Sequence, residues 1–130
     1  MFTQSDIHKD KFRNLSQFMI EGVRHYGVDD QTVYPSVTSI ISWVNREKWA
    51  AWRQKVGLEE ANRKNKKATN RGTGFHTIME EFLGNRDVTT LTQYTVPLLQ
   101  LMFKAAKPKI DELFDNIYQI ETRMSSDRLC

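Results

Sequence analysis

The sequence predicts a mostly helical α+β protein with an N-terminal β-hairpin, four to five helices and a C-terminal strand. Three observations predict it. Two short runs rich in Val and Tyr flank the polar connector Asp29–Asp30–Gln31, the pattern of a hairpin. Apolar residues then recur at helical spacing across most of residues 37–114. Residues 117–124 alternate Ile117, Gln119, Glu121 and Arg123 with Tyr118, Ile120, Thr122 and Met124, which is the two-residue period of a strand.

Each element has its own reason. In residues 5–21, Ile7, Phe12, Leu15, Phe18, Met19 and Ile20 are loosely spaced as in a helix, so 1–21 reads as an N-terminal helical extension. Gly22 and Gly27 punctuate it. The hairpin arms are 23–28 and 32–37, and Pro35 confines the second arm to an edge or ends it. Ser36 is a plausible N-cap for a short helix carrying Val37, Ile40, Ile41 and Val44. Trp49, Trp52 and Val56 fall at i, i+3 and i+7 in a second helix that Gly57 closes. A third helix over 58–71 is almost wholly polar, with Leu58 and Ala61 as its thin apolar edge.

Gly72–Thr73–Gly74 predicts a break. After it, Phe75, Ile78, Met79 and Phe82 define the cleanest amphipathic helix, which Gly84 and Asn85 stop. Residues 85–92 read as a polar loop. A long helix over 93–114 takes Leu98, Leu99, Leu101, Met102, Phe103, Ile110, Leu113 and Phe114 as its buried face. Pro97 suits its first turn, and Pro108 would kink or split it. The terminal strand cannot satisfy its own backbone, so it requires the hairpin or another chain as partner.

With 130 residues the chain reads as a single domain, 1–130. A 39% hydrophobic and 27% charged composition is that of a globular protein. No apolar run approaches the roughly 18–20 residues of a membrane span. The single cysteine, Cys130, excludes an internal disulfide and any all-cysteine metal site. Residues 1–10 hold no apolar signal segment, and a reducing, cytoplasmic setting fits both features.

The net charge of +3 conceals an asymmetry. Residues 46–71 carry nine basic residues (Arg46, Lys48, Arg53, Lys55, Arg63, Lys64, Lys66, Lys67, Arg71) against Glu47, Glu59 and Glu60. Such a segment suits a polyanion, most simply nucleic acid, or is a solvated helix face. Trp43, Trp49 and Trp52 lie nearby. Aromatic faces beside basic residues can stack bases, while the helical spacing of Trp49 and Trp52 favours core positions. The Arg71–Gly72–Thr73–Gly74 segment would open a helix whose free amides face a phosphate, with Thr73 as N-cap. His76 and Glu80, at i and i+4, share a face at the border of the apolar stripe. That pair suits a metal or general-base role, or a surface pairing. Glu121, on the terminal strand, is a carboxylate that would join His76 around a cation, or a solubilising edge charge.

Taken in order, Tyr34–Pro35–Ser36–Val37–Thr38–Ser39–Ile40–Ile41, then Arg71–Gly72–Thr73–Gly74–Phe75–His76 with Glu80 and Phe82–Leu83, then Ile120–Glu121, resemble the phage-type exonucleases of the PD-(D/E)XK superfamily. RecB-type nuclease domains and the mitochondrial genome maintenance exonuclease are relatives of that group. The resemblance covers about residues 22–130. It implies the front part of a restriction-endonuclease-like fold. It also implies a Mg²⁺- or Mn²⁺-dependent DNA exonuclease of repair or recombination, in a host cytoplasm if phage-encoded. By the resemblance, His76 is a metal ligand and Glu121 a catalytic carboxylate. Ser36 and Thr38 lie by the DNA path, and Arg63, Lys64, Lys67, Arg71 and Thr73 bind DNA.

That family places a catalytic Asp and an Asp/Glu-x-Lys downstream of the Glu121 position, and this sequence holds neither there. Metal-assisted hydrolysis depends on such carboxylates. The expectation is therefore a nuclease part that is inactive alone and completed by a C-terminal half or second chain. The alternative is a small non-catalytic DNA-binding or interaction protein using the basic segment 46–71.

Overall fold

The structure is a computed structural model that describes residues 1–5 and 15–120. Among these, residues 15–61 form one compact unit, and residues 1–5 with 62–120 form another. The described residues are α+β and mostly helical. Their elements are strands β1 (Thr3–Gln4), β2 (Ser16–Ile20), β3 (Val23–Gly27), β4 (Val33–Pro35) and β5 (Asn116–Ile117), and helices α1 (Val37–Val44), α2 (Arg46–Val56), α3 (Leu58–Leu83) and α4 (Pro97–Leu113). No described helix is long and apolar enough to cross a membrane.

In the unit of residues 15–61, the expected hairpin is β3–β4, with Tyr26 opposite Tyr34. Its connector is an Asx turn, in which one Asp29 carboxylate oxygen accepts the amides of Gln31 (2.9 Å) and Thr32 (2.7 Å). Pro35 ends the edge strand, where its missing N–H costs no ladder bond. The helical reading of residues 5–21 is corrected where the chain is described: Ser16–Ile20 is a strand paired antiparallel with β3. The rest of that stretch, residues 6–14, lies outside the described residues. The two-residue turn Glu21–Gly22 has φ of 49° and 78°, the doubly positive geometry that matches strand twist. Pairing with β3 overrides the loose helical spacing of Phe18, Met19 and Ile20.

In the other unit, Ile78, Val88, Leu99 and Phe103 form the core, with Phe75, Met79, Phe82, Leu91, Tyr94 and Met102 packed against it. Edge-to-face contacts link Phe2 to Phe82 (5.1 Å), Phe82 to Phe103 (5.1 Å) and Phe103 to Tyr94 (5.8 Å). Each such pair adds about 0.5–1.5 kcal/mol beyond its burial. α3 ends in a Schellman arrangement. Asn85 is left-handed (φ 59°), Arg86 N–H donates to Glu81 C=O, and Asn85 N–H donates to Phe82 C=O. The Asn85 side chain then clips the Phe2 backbone, accepting its N–H and donating to its C=O, both at 2.7 Å. This clip helps seat β1 parallel to β5, with Thr3 opposite Asn116.

Three further expectations change. The terminal strand is only Asn116–Ile117, and its partner is β1 rather than the hairpin; residues 121–124 lie outside the described residues. On α4, Leu99 and Phe103 are buried, but Leu98, Leu101 and Leu113, and Phe114 just after it, are exposed. The expected eight-residue face was wider than the single stripe that meets α3. Pro108 lies inside α4 without splitting it.

The largest correction concerns the glycines. Gly72–Thr73–Gly74 is no break: α3 runs unbroken for 26 residues. A Cβ on Gly74 would lie 2.7 Å from Leu99 Cδ1, whereas one on Gly72 would meet open space. Gly74 therefore serves close helix packing, and Gly72 is an exposed helix-interior glycine. Gly72→Ala is expected to raise stability by about 0.5–1 kcal/mol through helix propensity. Gly74→Ala is expected to lower it, because overpacking costs about 1–3 kcal/mol. Urea unfolding of both variants checks this; a loss at both positions would signal a glycine turn instead.

Candidate nucleic-acid interface

α3 follows directly from Gly57 (φ 85°), which ends α2, and Glu59 and Glu60 favour its N-terminal dipole. From Asn62 to Thr73 every residue is exposed. No acidic residue occurs between Glu60 and Glu80. At about 100° per residue, Arg63, Lys64, Lys67 and Arg71 fall within an arc of roughly 100°, with Lys66 beside it. Arg63, Lys67 and Arg71 repeat at i, i+4 and i+8, about 6 Å apart along the axis. The opposite side carries Asn62, Asn65, Thr69 and Gly72. The result is a one-sided basic stripe on a helix that buries nothing beneath it. Arg46, Lys48, Arg53 and Lys55 on α2 are also exposed.

Thr73 does not cap a helix. Its carbonyl accepts the Thr77 hydroxyl at 3.1 Å, one turn along. The expected phosphate cradle is therefore not formed, since amides in a helix interior are already committed to the ladder.

Ser36 is the N-cap of α1, as expected. It is extended (φ −64°, ψ 148°) and its hydroxyl accepts Ser39 N–H at 3.1 Å. The same hydroxyl is hydrogen-bonded with Thr38 Oγ1 (3.0 Å) and Ser39 Oγ (2.8 Å). Its backbone N–H donates to Arg24 C=O at 2.8 Å. Ser36 is only 5% exposed, so its hydroxyl is committed to capping α1 while its backbone N–H joins α1 to the sheet. Thr38 is exposed beside it.

His76 is exposed and Glu80 half-buried on the same face of α3. Glu121 lies outside the described residues. Among the described residues no group of three or more His, Cys, Asp or Glu is placed to hold a metal ion. His76 and Glu80 would supply two of the several ligands that Mg²⁺ or Mn²⁺ takes, and the third expected ligand, Glu121, is not among the described residues. A cavity of about 360 Å³ is lined by Phe2, Phe82, Arg86, Lys107, Asp111 and Phe114, among others, and by none of the expected site residues. Near it, Arg86 forms an ion pair with Glu81, and its hydrogen bond holds the Glu81 carboxyl below the usual range.

The tryptophans correct a further expectation. Trp43 and Trp49 are 67% and 51% exposed, and Trp52 is half-buried, so Trp49 and Trp52 are not a closed core. The Arg46 guanidinium lies 4.8 Å from the Trp43 ring centroid. That pairing across the α1–α2 corner was missed; its only signal in the sequence is the three-residue spacing.

Compared with protein-family models, with curated proteins and with solved structures, the chain matches none.

Ser36→Ala is expected to cost about 1 kcal/mol of stability, the loss of an N-cap. A DNA affinity measured at fixed salt should not depend on this hydroxyl; a loss of affinity at full stability would assign Ser36 to DNA instead.

Proposed function

We propose that this chain binds DNA through the basic stripe of α3, as the helix-rich front part of a PD-(D/E)XK-type exonuclease. The stripe is the observation that carries the reading. Like charges at i and i+4 oppose helix formation by about 0.2–0.5 kcal/mol each. Both Arg63–Lys67 and Lys67–Arg71 are such pairs. Three exposed turns that cover no core derive no packing benefit from this arrangement. A polyanion along the stripe reverses the sign of that electrostatic term and releases its own counterions. The order of the Pro-Ser-Val-Thr, Gly-x-x-x-His and Ile-Glu elements supports the exonuclease relationship.

A second reading is a non-catalytic DNA-binding protein using residues 46–71. It requires only the exposed basic residues of that segment and no further carboxylates. The first reading assigns phosphodiester hydrolysis to carboxylates that a C-terminal half or second chain would bring.

Lys67→Gln separates function from structure. It is expected to leave stability unchanged or raise it by a few tenths of a kcal/mol. It should weaken DNA binding and reduce the slope of log affinity against log salt by about 0.9. A wild-type affinity that does not respond to salt would remove the DNA reading. Incubation of the purified chain with DNA and Mg²⁺ or Mn²⁺ is expected to give no degradation. Degradation that His76→Ala abolishes would instead establish a complete nuclease.

A further inference from the structure

We propose that Trp43, with Arg46 packed on its ring, is a stacking site for an unpaired base of single-stranded DNA. This rests on the DNA-binding reading above and assigns a residue and a ligand class to the unit of residues 15–61.

α1 and α2 meet at Asn45. Its backbone and side-chain N–H groups both donate to the Ile41 carbonyl, at 3.0 and 2.9 Å. This shared cap fixes the corner and sets Trp43, near the end of α1, against Arg46, the first residue of α2. The guanidinium stands 4.8 Å from the indole centroid, yet 67% of Trp43 stays exposed. A cation on an indole orients the ring and leaves its positive charge beside the platform. One turn into α2, Trp49 is 51% exposed and meets Trp52 edge-on at 6.2 Å and 84°. The half-buried Trp52 steadies it. Both exposed indoles are thus braced by a neighbour.

Charge selects the occupant. Arg46, Lys48, Arg53 and Lys55 are exposed on α2, and Glu47 is the only acidic residue between 31 and 58. Braced aromatic faces among cations match a chain that alternates flat bases with phosphates. In a duplex the base faces are covered by their neighbours, so the platform serves unpaired nucleotides.

The test compares oligothymidine with an abasic deoxyribose-phosphate oligomer of equal length, by fluorescence anisotropy with the full chain. Wild type is expected to bind oligothymidine more tightly than the abasic oligomer. Trp43→Ala should lose about 5- to 150-fold on oligothymidine, the range of one stacked base, with affinity for the abasic oligomer and salt slope retained. Trp43→Phe should recover most of the loss. Equal oligothymidine affinity in wild type and Trp43→Ala overturns the proposal, as does an equal loss on both probes. So does a Trp43→Ala effect confined to self-association, which would give the face to a second copy of the chain. A wild type that binds neither probe fails the DNA reading itself, a result distinct from loss of stacking alone.

Discussion

The contact between Leu99 and the bare Cα of Gly74 is the constraint on which one unit depends. It lets α4 approach α3 closely enough for Phe103 to meet Phe82 edge-on and for Ile78 to be fully buried. A side chain at position 74 would hold the helices apart by about a methyl group, and cores at native density respond to such a change. α3 runs unbroken through two glycines and a threonine, residues that weaken a helix when nothing packs on them. Tertiary packing at Gly74 thus supports the bare, basic turns that precede it.

Those turns follow a different logic from the core. Their residues are exposed and carry charge rather than apolar surface. Such a surface is well suited to a partner that is itself charged, flexible and solvated. The aromatic corner at Asn45 adds flat apolar faces in a second place. On the proposed reading, the stripe would answer phosphate and the aromatic corner would answer base.

Much of this was legible in the sequence where one residue type has one strong local reason. The polar connector Asp29–Asp30–Gln31 of the hairpin, Pro35 at a strand end, Ser36 as cap and the Phe75–Ile78–Met79–Phe82 stripe are local patterns, and each forms as expected. What failed involved two reasons competing for one residue. Gly74 fits a turn or a close helix contact, and only the position of Leu99, 25 residues on, decides between them. Phe18, Met19 and Ile20 can sit on a helix or a strand, and pairing with β3 decides. The exposure of Trp43 and Trp49 was hidden because helical spacing reports which residues share a face, not whether anything covers it. At the candidate site the charge asymmetry of residues 46–71 was readable from counting. The phosphate cradle was not, because it required a helix start that the Gly74 contact removes.

The Asn85–Phe2 clip joins residues 83 positions apart, and this orders events during synthesis. A ribosome delivers Phe2 before its partners Phe82 and Asn85, which emerge only much later. Residues 15–61 are free of that delay, because their sheet and short helices pair locally. The unit with the aromatic corner can therefore fold while the other still waits for its second helix. Phe2 and β1 spend that interval without their pairing partners, and they dock only when β5 emerges to receive them.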